Sequence, residues 1–341
     1  MQVSTIGVDL AKNVFQVHGV DSAGKVVITR QLRRKQVIEF FSKIPPCLVG
    51  MEACGTAHHW AREVSKFGHT VRLMPPSYVK GYVKRSKNDA ADAAAICEAV
   101  TRPSMRFVAV KSADQQALLM LHRTRDLLIR QRTQLINALR AHLVGLIAET
   151  GREGLAQLAA IITDESNREA LPSAMKQALQ AIVDQLAALE LQIGTLDRAI
   201  HAQHRANDMS CRLETVPGIG VIGATAITST VTDPSGFKSG RDFAAWIGLV
   251  PRQHSTGGKE RLGGISKQGD RYLRRLLVIG ATAVVRHARQ RPQKHPWIMR
   301  LLAKKPAKLV AVAVANKMAR IAWAIMAKGG HYRAPELAIA A

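Results

Sequence analysis

Eight apolar residues between Met175 and Ile200 recur at alternating spacings of four and three residues. This a/d pattern, sustained for about four heptads, is typical of a coiled coil and requires one long helix. A looser leucine stripe predicts a second long helix from Ala113 to about Glu149. Glycine and proline residues between Thr150 and Pro172 predict a turn and a short helix joining the two. The residues of the seam are Met175, Leu179, Ile182, Leu186, Leu189, Ile193, Leu196 and Ile200.

The helical segment 113–207 contains ten basic and ten acidic residues, so it carries no net charge. An apolar seam on a neutral segment fits two arrangements. Either the two helices pack against each other as an internal hairpin, or the seam joins two copies of the chain. The regular heptad and the neutral charge favour the second arrangement.

The segments on either side are strongly basic. The whole chain has 49 Lys and Arg against 25 Asp and Glu, a formal charge of +24, to which residues 1–112 contribute +9 and residues 208–341 contribute +15. Such an excess points to nucleic acid as the partner. Since aromatic residues make up only 4% of the chain, binding is expected through backbone phosphates rather than stacked bases. The charge pattern predicts three domains, 1–112, 113–207 and 208–341.

The sequence predicts neither a membrane span nor a disulfide framework. No apolar run approaches the roughly 20 residues that cross a bilayer, and the four cysteines form no CxxC pair. We therefore expect a cytoplasmic protein with no membrane partner.

Residues 2–110 have an α/β pattern. Three apolar strands joined by short turns, at Val3–Leu10, Val14–Val20 and Lys25–Arg30, predict an antiparallel meander. The later elements are a helix at Arg34–Ser42, a strand at Cys47–Met51, a helix at His58–Phe67, a strand at Thr70–Met74 and a helix from about Asp89 to Val100.

Four acidic residues lie where this pattern brings strand ends and a helix face together. Asp9 ends the first strand and Glu52 ends the fourth, whereas Asp89 and Asp92 are three apart and share one helix face. Nucleases of the ribonuclease-H-like fold use such acids to hold two divalent ions about 4 Å apart, and Mg²⁺ or Mn²⁺ suits oxygen ligands. The alternative is that these acids are helix N-caps, with Asp89 capping its own helix.

A glycine-rich, basic stretch from Pro251 to Gly269 cannot form a regular helix. Its cations and flexible backbone suit a phosphate site, and a hydroxyl within it could attack a phosphodiester and store the bond as a phosphoserine. Composition alone favours a DNA-contact loop over a nucleophile. The residues expected to bind nucleic acid are Lys84, Arg85, Lys87, Arg252, Lys259, Arg261, Lys267, Arg271, Arg274 and Arg275.

Upstream of that stretch, Pro217–Gly220 lies between two helical segments. It is similar to the hairpin of helix-hairpin-helix motifs, in which glycines let backbone N–H groups approach a phosphate. The alternative is a plain packing hairpin between helices.

Three motifs give the chain a resemblance to a known family, the DEDD-type transposases of the insertion-sequence-110 family, 1111-like branch, which are related to the Piv DNA invertase. In this family Asp9, Glu52, Asp89 and Asp92 would be the catalytic metal ligands of a RuvC-like domain. Ser255, within HSTGG, would be the nucleophile, and Ser266 is the second choice, read otherwise as a helix cap. The motifs are GVDLAK at 7–12, MEACG at 51–55 and KRSKNDAADAAAI at 84–96.

The resemblance also implies partners. A structured guide (bridge) RNA would select donor and target DNA. The RuvC-like domain of one protomer would meet the serine of another in a homodimer or tetramer, which would associate with the bacterial nucleoid. The expected fold is α/β plus α: a RuvC-like (ribonuclease-H-like) domain, long antiparallel coiled-coil helices and a mostly helical transposase domain. The alternatives are a metal-dependent Holliday-junction-type nuclease without a covalent intermediate, and a non-catalytic architectural DNA-binding protein.

Overall fold

The computed structural model describes residues 2–83, 88–143 and 172–334. The chain divides into two compact units, Met1–Gln116 and Ala117–Ala341, each with its own apolar core. The short helix predicted between Thr150 and Pro172 lies outside the described residues, as do the predicted nucleic-acid ligands Lys84, Arg85 and Lys87. The division into three domains stays a prediction.

A five-stranded sheet forms the centre of the amino-terminal unit. Its strands are β1 (Thr5–Asp9), β2 (Val14–Val20), β3 (Val26–Arg33), β4 (Leu48–Glu52) and β5 (Thr70–Met74). The order across the sheet is β3-β2-β1-β4-β5. The first three strands form the predicted antiparallel meander, whereas β1, β4 and β5 run parallel. This mixed sheet is consistent with the expected ribonuclease-H-like fold.

Helices pack on this sheet through two separate apolar clusters. The helices are α1 (Val37–Ser42), α2 (Ala57–Ser65), α3 (Pro76–Val79) and α4 (Asp89–Ala99). On one face Ile6 and Val8 of β1 join a core with Phe15 of β2 and Trp60 of α2, whose rings meet edge to face at 5.0 Å. The neighbours of Ile6 and Val8 on β1 point to the opposite face, because side chains alternate along a strand.

On that opposite face, two glycines make room for α4 and the residue that ends it. A Cβ at Gly7 would overlap the backbone of Ala93 and would lie 2.8 Å from the Cα of Cys97. Gly50, the register partner of Gly7 on β4, lies against the side chain of Val100, the C-cap of α4, whose Cβ would be 2.8 Å from an added Cβ. The helix backbone therefore rests directly on β1, and the Val100 side chain packs on β4.

Two long helices follow, α5 (Ala113–Leu143) and α6 (Ser173–Arg205), and they pair antiparallel within the chain. Arg125 of α5 pairs with Asp197 of α6, and Arg132 pairs with Glu190 at 2.9 Å. Buried Leu139 and Leu179 belong to one small apolar cluster between them. The internal-hairpin arrangement is therefore present, whereas a coiled coil between two chains stays a prediction.

The rest of the carboxyl-terminal unit is a helical core with one small hairpin. Its elements are α7 (Asp208–Glu214), α8 (Val221–Thr230), α9 (Gly240–Ile247), β6 (Pro251–Gln253), β7 (Leu262–Ile265), α10 (Arg271–Gln290), α11 (Pro296–Leu302) and α12 (Ala307–Lys328). By length and composition alone, α12 would be long and apolar enough to cross a membrane, with a mean hydropathy of 1.5 over an 18-residue window. Eight of its residues are buried in the unit's core, as in a core helix.

Polar side chains join α5 to α10 inside this unit. His122 of α5 is fully buried, and its Nδ1 lies 3.1 Å from the hydroxyl of Tyr272 on α10. Asp126 pairs with Arg275 one turn further along. Burial, with a smaller contribution from nearby Arg125, lowers the pKa of His122 to about 4, and burial raises the pKa of Tyr272 to about 12. His122 is therefore neutral at neutral pH.

Acidification is expected to destabilise the chain through His122. Its folded-state pKa of about 4 lies below its ordinary value of 6.5, so the unfolded chain binds the proton first. The free energy of unfolding should fall as the pH decreases from 6.5 towards 4, by up to about 1.4 kcal/mol per pH unit. When the free energy of unfolding is measured with denaturant at several pH values in this window, it should change less with pH in His122→Phe than in the wild type. His201 is exposed on α6, so His201→Phe is the control and should keep the pH dependence of the wild type. The same pH dependence in His122→Phe and the wild type would contradict the prediction.

The close approach of α4 to the sheet predicts a large cost for any side chain at Gly7. Gly7→Ala places a methyl group against the helix backbone, and relieving the overlap should cost about 1–3 kcal/mol in the free energy of unfolding. Gly55→Ala is the matched control, because a Cβ there meets open space. Denaturant unfolding measures both variants. A Gly7→Ala protein as stable as Gly55→Ala would show that α4 does not rest on β1.

Candidate active site

Asp9 and Glu52 are the last residues of two neighbouring parallel strands. β1 and β4 pair in register up to Val8 and Met51, so the two acids follow at matching positions. Each lies two residues beyond a glycine that faces α4, and residues two apart on a strand share a face. Both acids therefore belong to the α4 side of the sheet, at its carboxyl edge, and both residues are half-buried.

Asp89 and Asp92 lie in the first turn of α4, before the residues of that helix that meet the sheet. Asp89 lies about one turn before Ala93, whose backbone covers Gly7 of β1. Further along the helix, the Cys97 thiol lies 3.6 Å from the carbonyl oxygen of Thr5. The helix thus runs antiparallel to β1, and its first turn points towards the strand end that carries Asp9.

Asp89 does not cap its own helix. The cap is Asn88, whose Oδ1 accepts a hydrogen bond from the backbone N–H of Ala91 at 2.8 Å. The N-cap alternative for Asp89 is therefore wrong, because the capping position is one residue earlier in the chain. The Asp89 side chain is exposed.

The four carboxylates have the right chemistry for a hard divalent cation. Carboxylate oxygens are the ligands that Mg²⁺ and Mn²⁺ prefer, and Asp9 and Glu52 end two neighbouring strands at one edge of the sheet. Within residues 2–83, 88–143 and 172–334, no three Asp, Glu, His or Cys side chains come together around a single point. The residues have the chemical type that such a cation prefers. Their assignment as its ligands stays a prediction.

The glycine-rich stretch of the carboxyl-terminal unit forms an exposed β-hairpin from β6 and β7. At its tip Gly257 and Gly258 have φ values of 55° and 76°, as a two-residue type I′ turn requires. The backbone N–H of Lys259 donates to the carbonyl of Thr256 at 3.1 Å and closes this turn. All residues from 251 to 264 are exposed.

The base of the hairpin is fixed by side chains from the helical core. Arg274 of α10 donates from Nη1 to the carbonyls of Ile247 and Gln268, at 2.8 and 2.7 Å. Asn316 of α12 donates to the carbonyl of Leu249 at 3.1 Å. The exposed tip therefore stands on an anchored base.

Ser255 lies on this hairpin beside the turn, and its Oγ accepts two hydrogen bonds. The side-chain amide of Gln253 donates at 3.0 Å, and the backbone N–H of Arg261 on the opposite arm of the hairpin donates at 3.4 Å. The hydroxyl is thus exposed to solvent and held in orientation.

Ser266, the second choice, is half-buried at the base of the hairpin. Its backbone N–H donates to the carbonyl of Val250 at 2.8 Å. It does not cap the helix that follows. Asp270 does, by accepting from the backbone N–H of Leu273 at 2.8 Å, so the expected capping role of Ser266 is wrong.

The predicted nucleic-acid ligands that the structure describes differ in their contacts. Arg274 anchors the hairpin base, Arg275 pairs with Asp126, and Arg252 donates to the carbonyl of Ser266 at 3.3 Å. The others are exposed, and their binding role, like that of the first three, stays a prediction. They are Lys259, Arg261, Lys267 and Arg271.

The Pro217–Gly220 turn packs against the helical core at one glycine and is open at another. A Cβ at Gly218 would lie 2.8 Å from the Met318 side chain and 3.0 Å from the carbonyl oxygen of Gly280 on α10. A Cβ at Gly220, which precedes α8, meets open space. The turn therefore has a packing role at Gly218, and a phosphate contact at Gly220 stays a prediction.

The sequence reasoning missed two groups that contact or adjoin the candidate residues. Gln253 donates a hydrogen bond to Ser255, and its position two residues before the serine does not by itself indicate that contact. Gln16, buried on β2, is the register partner of Asp9. That pairing becomes readable only once the meander has its register.

Both parts of the chain match proteins of one kind. Residues 6–148 match the profile of the IS110-type DEDD transposases, and residues 210–296 match that of the transposase IS116/IS110/IS902 family. A probable family 20 transposase of Pseudomonas aeruginosa is 53% identical, over 98% of this chain and 99% of its own. The transposase for insertion sequence element IS1111A of Coxiella burnetii is 39% identical, over 97% and 92% respectively. A pilin gene-inverting protein of Moraxella bovis is 26% identical over 81% and 79%.

Proposed function

Because the chain belongs to the IS110 family of transposases, which act in DNA recombination, we propose that it cuts and exchanges the DNA strands of an insertion sequence through a covalent serine intermediate. One observation carries the catalytic part of this proposal. The Ser255 hydroxyl is exposed on an anchored hairpin and accepts two N–H bonds, with Lys259 and Arg261 close by in the chain. A nucleophile that must reach a DNA backbone needs such an exposed, oriented position.

In the proposed step the Oγ of Ser255 attacks the phosphorus of a phosphodiester. A bond forms between Oγ and phosphorus while the bond from phosphorus to a deoxyribose oxygen breaks. The serine gives up its proton to a base, and the departing sugar oxygen takes up a proton. Attack by a second sugar hydroxyl then rejoins the DNA and restores the serine. Since each step exchanges one ester bond for another, the exchange needs no nucleotide energy source.

Asp9, Glu52, Asp89 and Asp92 would hold Mg²⁺ or Mn²⁺ in this proposal. The bound cation supplies Lewis-acid stabilisation of negative charge on the phosphate oxygens. In this proposal, the fold of the chain brings the four carboxylates together at the carboxyl edge of the sheet. The position of Asp9 and Glu52 on adjacent strand ends, below the first turn of α4, supports this assignment.

DNA and a structured guide RNA are the proposed partners, with donor and target DNA selected by the RNA. The net charge of +24, concentrated in residues 1–112 and 208–341, supports binding to nucleic-acid backbones. These segments would be the RuvC-like domain and the transposase domain, separated by the helical segment 113–207. The proposed location of the protein is the bacterial cytoplasm, at the nucleoid.

Self-association through α5 and α6 is the proposed way in which two active-site parts from different protomers meet. These helices expose large apolar side chains: Met120 is 69% exposed and Leu191 is 66% exposed. A second copy that covers these residues would remove apolar surface from water. A homodimer or tetramer is therefore part of the proposal.

The serine assignment predicts a covalent adduct on a suicide DNA substrate, one whose cut strand cannot rejoin. The full chain, with Mg²⁺, guide RNA and DNA, should give a protein–DNA adduct that survives denaturation. Ser255→Ala should abolish the adduct, because the attacking oxygen is lost, whereas Ser266→Ala should retain it. Denaturing gel electrophoresis of end-labelled DNA measures both.

Each other outcome of that assay contradicts the serine step. An adduct that persists in Ser255→Ala would place the nucleophile elsewhere. Cleavage without an adduct would favour a junction nuclease, and binding without cleavage would favour an architectural protein.

The carboxylate assignment predicts that Asp9→Asn abolishes cleavage while DNA binding and thermal stability stay close to those of the wild type. The amide keeps the size of the side chain but removes a charged oxygen ligand. Asp21→Asn is the matched control, since Asp21 lies in an exposed turn of the meander, where its Oδ1 accepts bonds from Ala23 and Lys25. Cleavage by Asp9→Asn at the wild-type rate, or loss of its folding, would remove Asp9 from the proposed site.

A further inference from the structure

The hairpin carries a second feature besides its serine, a pair of N–H donors that converge on one oxygen. The side-chain amide nitrogen of Gln253 lies 3.0 Å from Oγ of Ser255, and the backbone nitrogen of Arg261 lies 3.4 Å from the same oxygen. One donor is Gln253, the last residue of β6, two residues before the serine. The other is Arg261, the residue directly before β7. Both are therefore held by the hairpin itself and neither depends on a distant element.

The pairing of the two strands keeps the backbone donor in place. The N–H of His254 donates to the carbonyl of Arg261 at 2.8 Å, which ties the two arms of the hairpin together next to Ser255. The turn closed by Lys259 and Thr256 limits movement on the other side. Ser255 Oγ thus lies between two donors, one on each arm of the hairpin.

Because both bonds are donated to the oxygen, the hydroxyl hydrogen of Ser255 takes part in neither of them. A serine has one hydrogen and two lone pairs, so the hydrogen stays available to a base or a phosphate oxygen. The two N–H groups occupy the positions in which negative charge on the oxygen would be stabilised. This is the arrangement by which fixed donors stabilise an oxyanion.

We infer that Gln253, together with the backbone N–H of Arg261, stabilises negative charge on the Ser255 oxygen when the phosphoserine bond forms and when it breaks. This rests on the proposed function of Ser255. On attack, the oxygen loses its proton as its bond to phosphorus forms. On rejoining, the bond from phosphorus to Oγ breaks, the electron pair returns to Oγ, and the oxygen regains a proton. Gln253 is a positioning and charge-stabilising residue in both directions.

The test is the rate of adduct formation with the suicide DNA substrate, measured over a range of pH in single turnover with the full chain. Gln253→Ala should slow the reaction by about 10- to 100-fold at neutral pH, below the effect of an enclosed oxyanion hole because the hairpin is exposed. The deficit should shrink as the pH rises, since deprotonation is then easier. DNA affinity should stay at the wild-type value.

Two further variants make the test specific. Gln253→Glu keeps the shape but replaces the donor by a charged acceptor, and it should be slower than Gln253→Ala. Gln203→Glu makes the same change on the exposed surface of α6 and should leave the rate unchanged. Circular dichroism and thermal unfolding show that each variant is folded.

The outcomes separate this inference from the proposal on which it rests. If Ser255→Ala abolishes the adduct while Gln253→Ala and Gln253→Glu react at the wild-type rate, the role of Gln253 is overturned and the serine step stands. A deficit that is equal at every pH would also overturn it, because that result indicates a structural role only. If Ser255→Ala still forms the adduct, both fail together.

Discussion

The position of the acidic residues depends on the contact between the α4 backbone and β1. Gly7 has no side chain to hold the helix away, so the backbone of Ala93 and Cys97 rests directly on the strand. This contact brings the first turn of α4 to the strand end that carries Asp9. Gly7 therefore sets how closely the first turn of α4, which carries Asp89 and Asp92, can approach the end of β1. The relative positions of the proposed metal ligands on β1 and α4 therefore depend on this packing.

The serine hairpin depends on a different physical arrangement, an exposed tip whose backbone and serine are held by hydrogen bonds. A tip that reaches a DNA backbone cannot be buried, so apolar packing cannot hold it. Its base is held instead by Arg274, which bonds two carbonyls on either side of the hairpin. Its tip is held by strand pairing and by a glycine turn. The same exposed geometry leaves Ser255 with two donors and free access.

Some of the opposite charges in the neutral helical segment pair with each other within the chain. Arg125 pairs with Asp197 and Arg132 with Glu190, across the two long helices. The heptad seam of α6 is partly used by α5, through Leu139 and Leu179. The same seam predicts self-association. A second chain would have to bind the apolar residues that the internal pairing leaves exposed.

The sequence by itself determined the order of the five strands and the longer helices in residues 2–110, the antiparallel meander, the non-helical serine stretch and the family. These follow from periodicity, glycine placement and motif residues, which are local properties of the chain. Only the tertiary structure decided that Asn88 caps α4, that Asp270 caps α10, and that Gln253 and Arg261 both reach Ser255. The choice of a cap depends on side-chain orientation at a helix end, and the Arg261 contact depends on strand register. Neither is encoded in spacing, because hydrogen-bond partners are selected by geometry that exists only after the chain has folded.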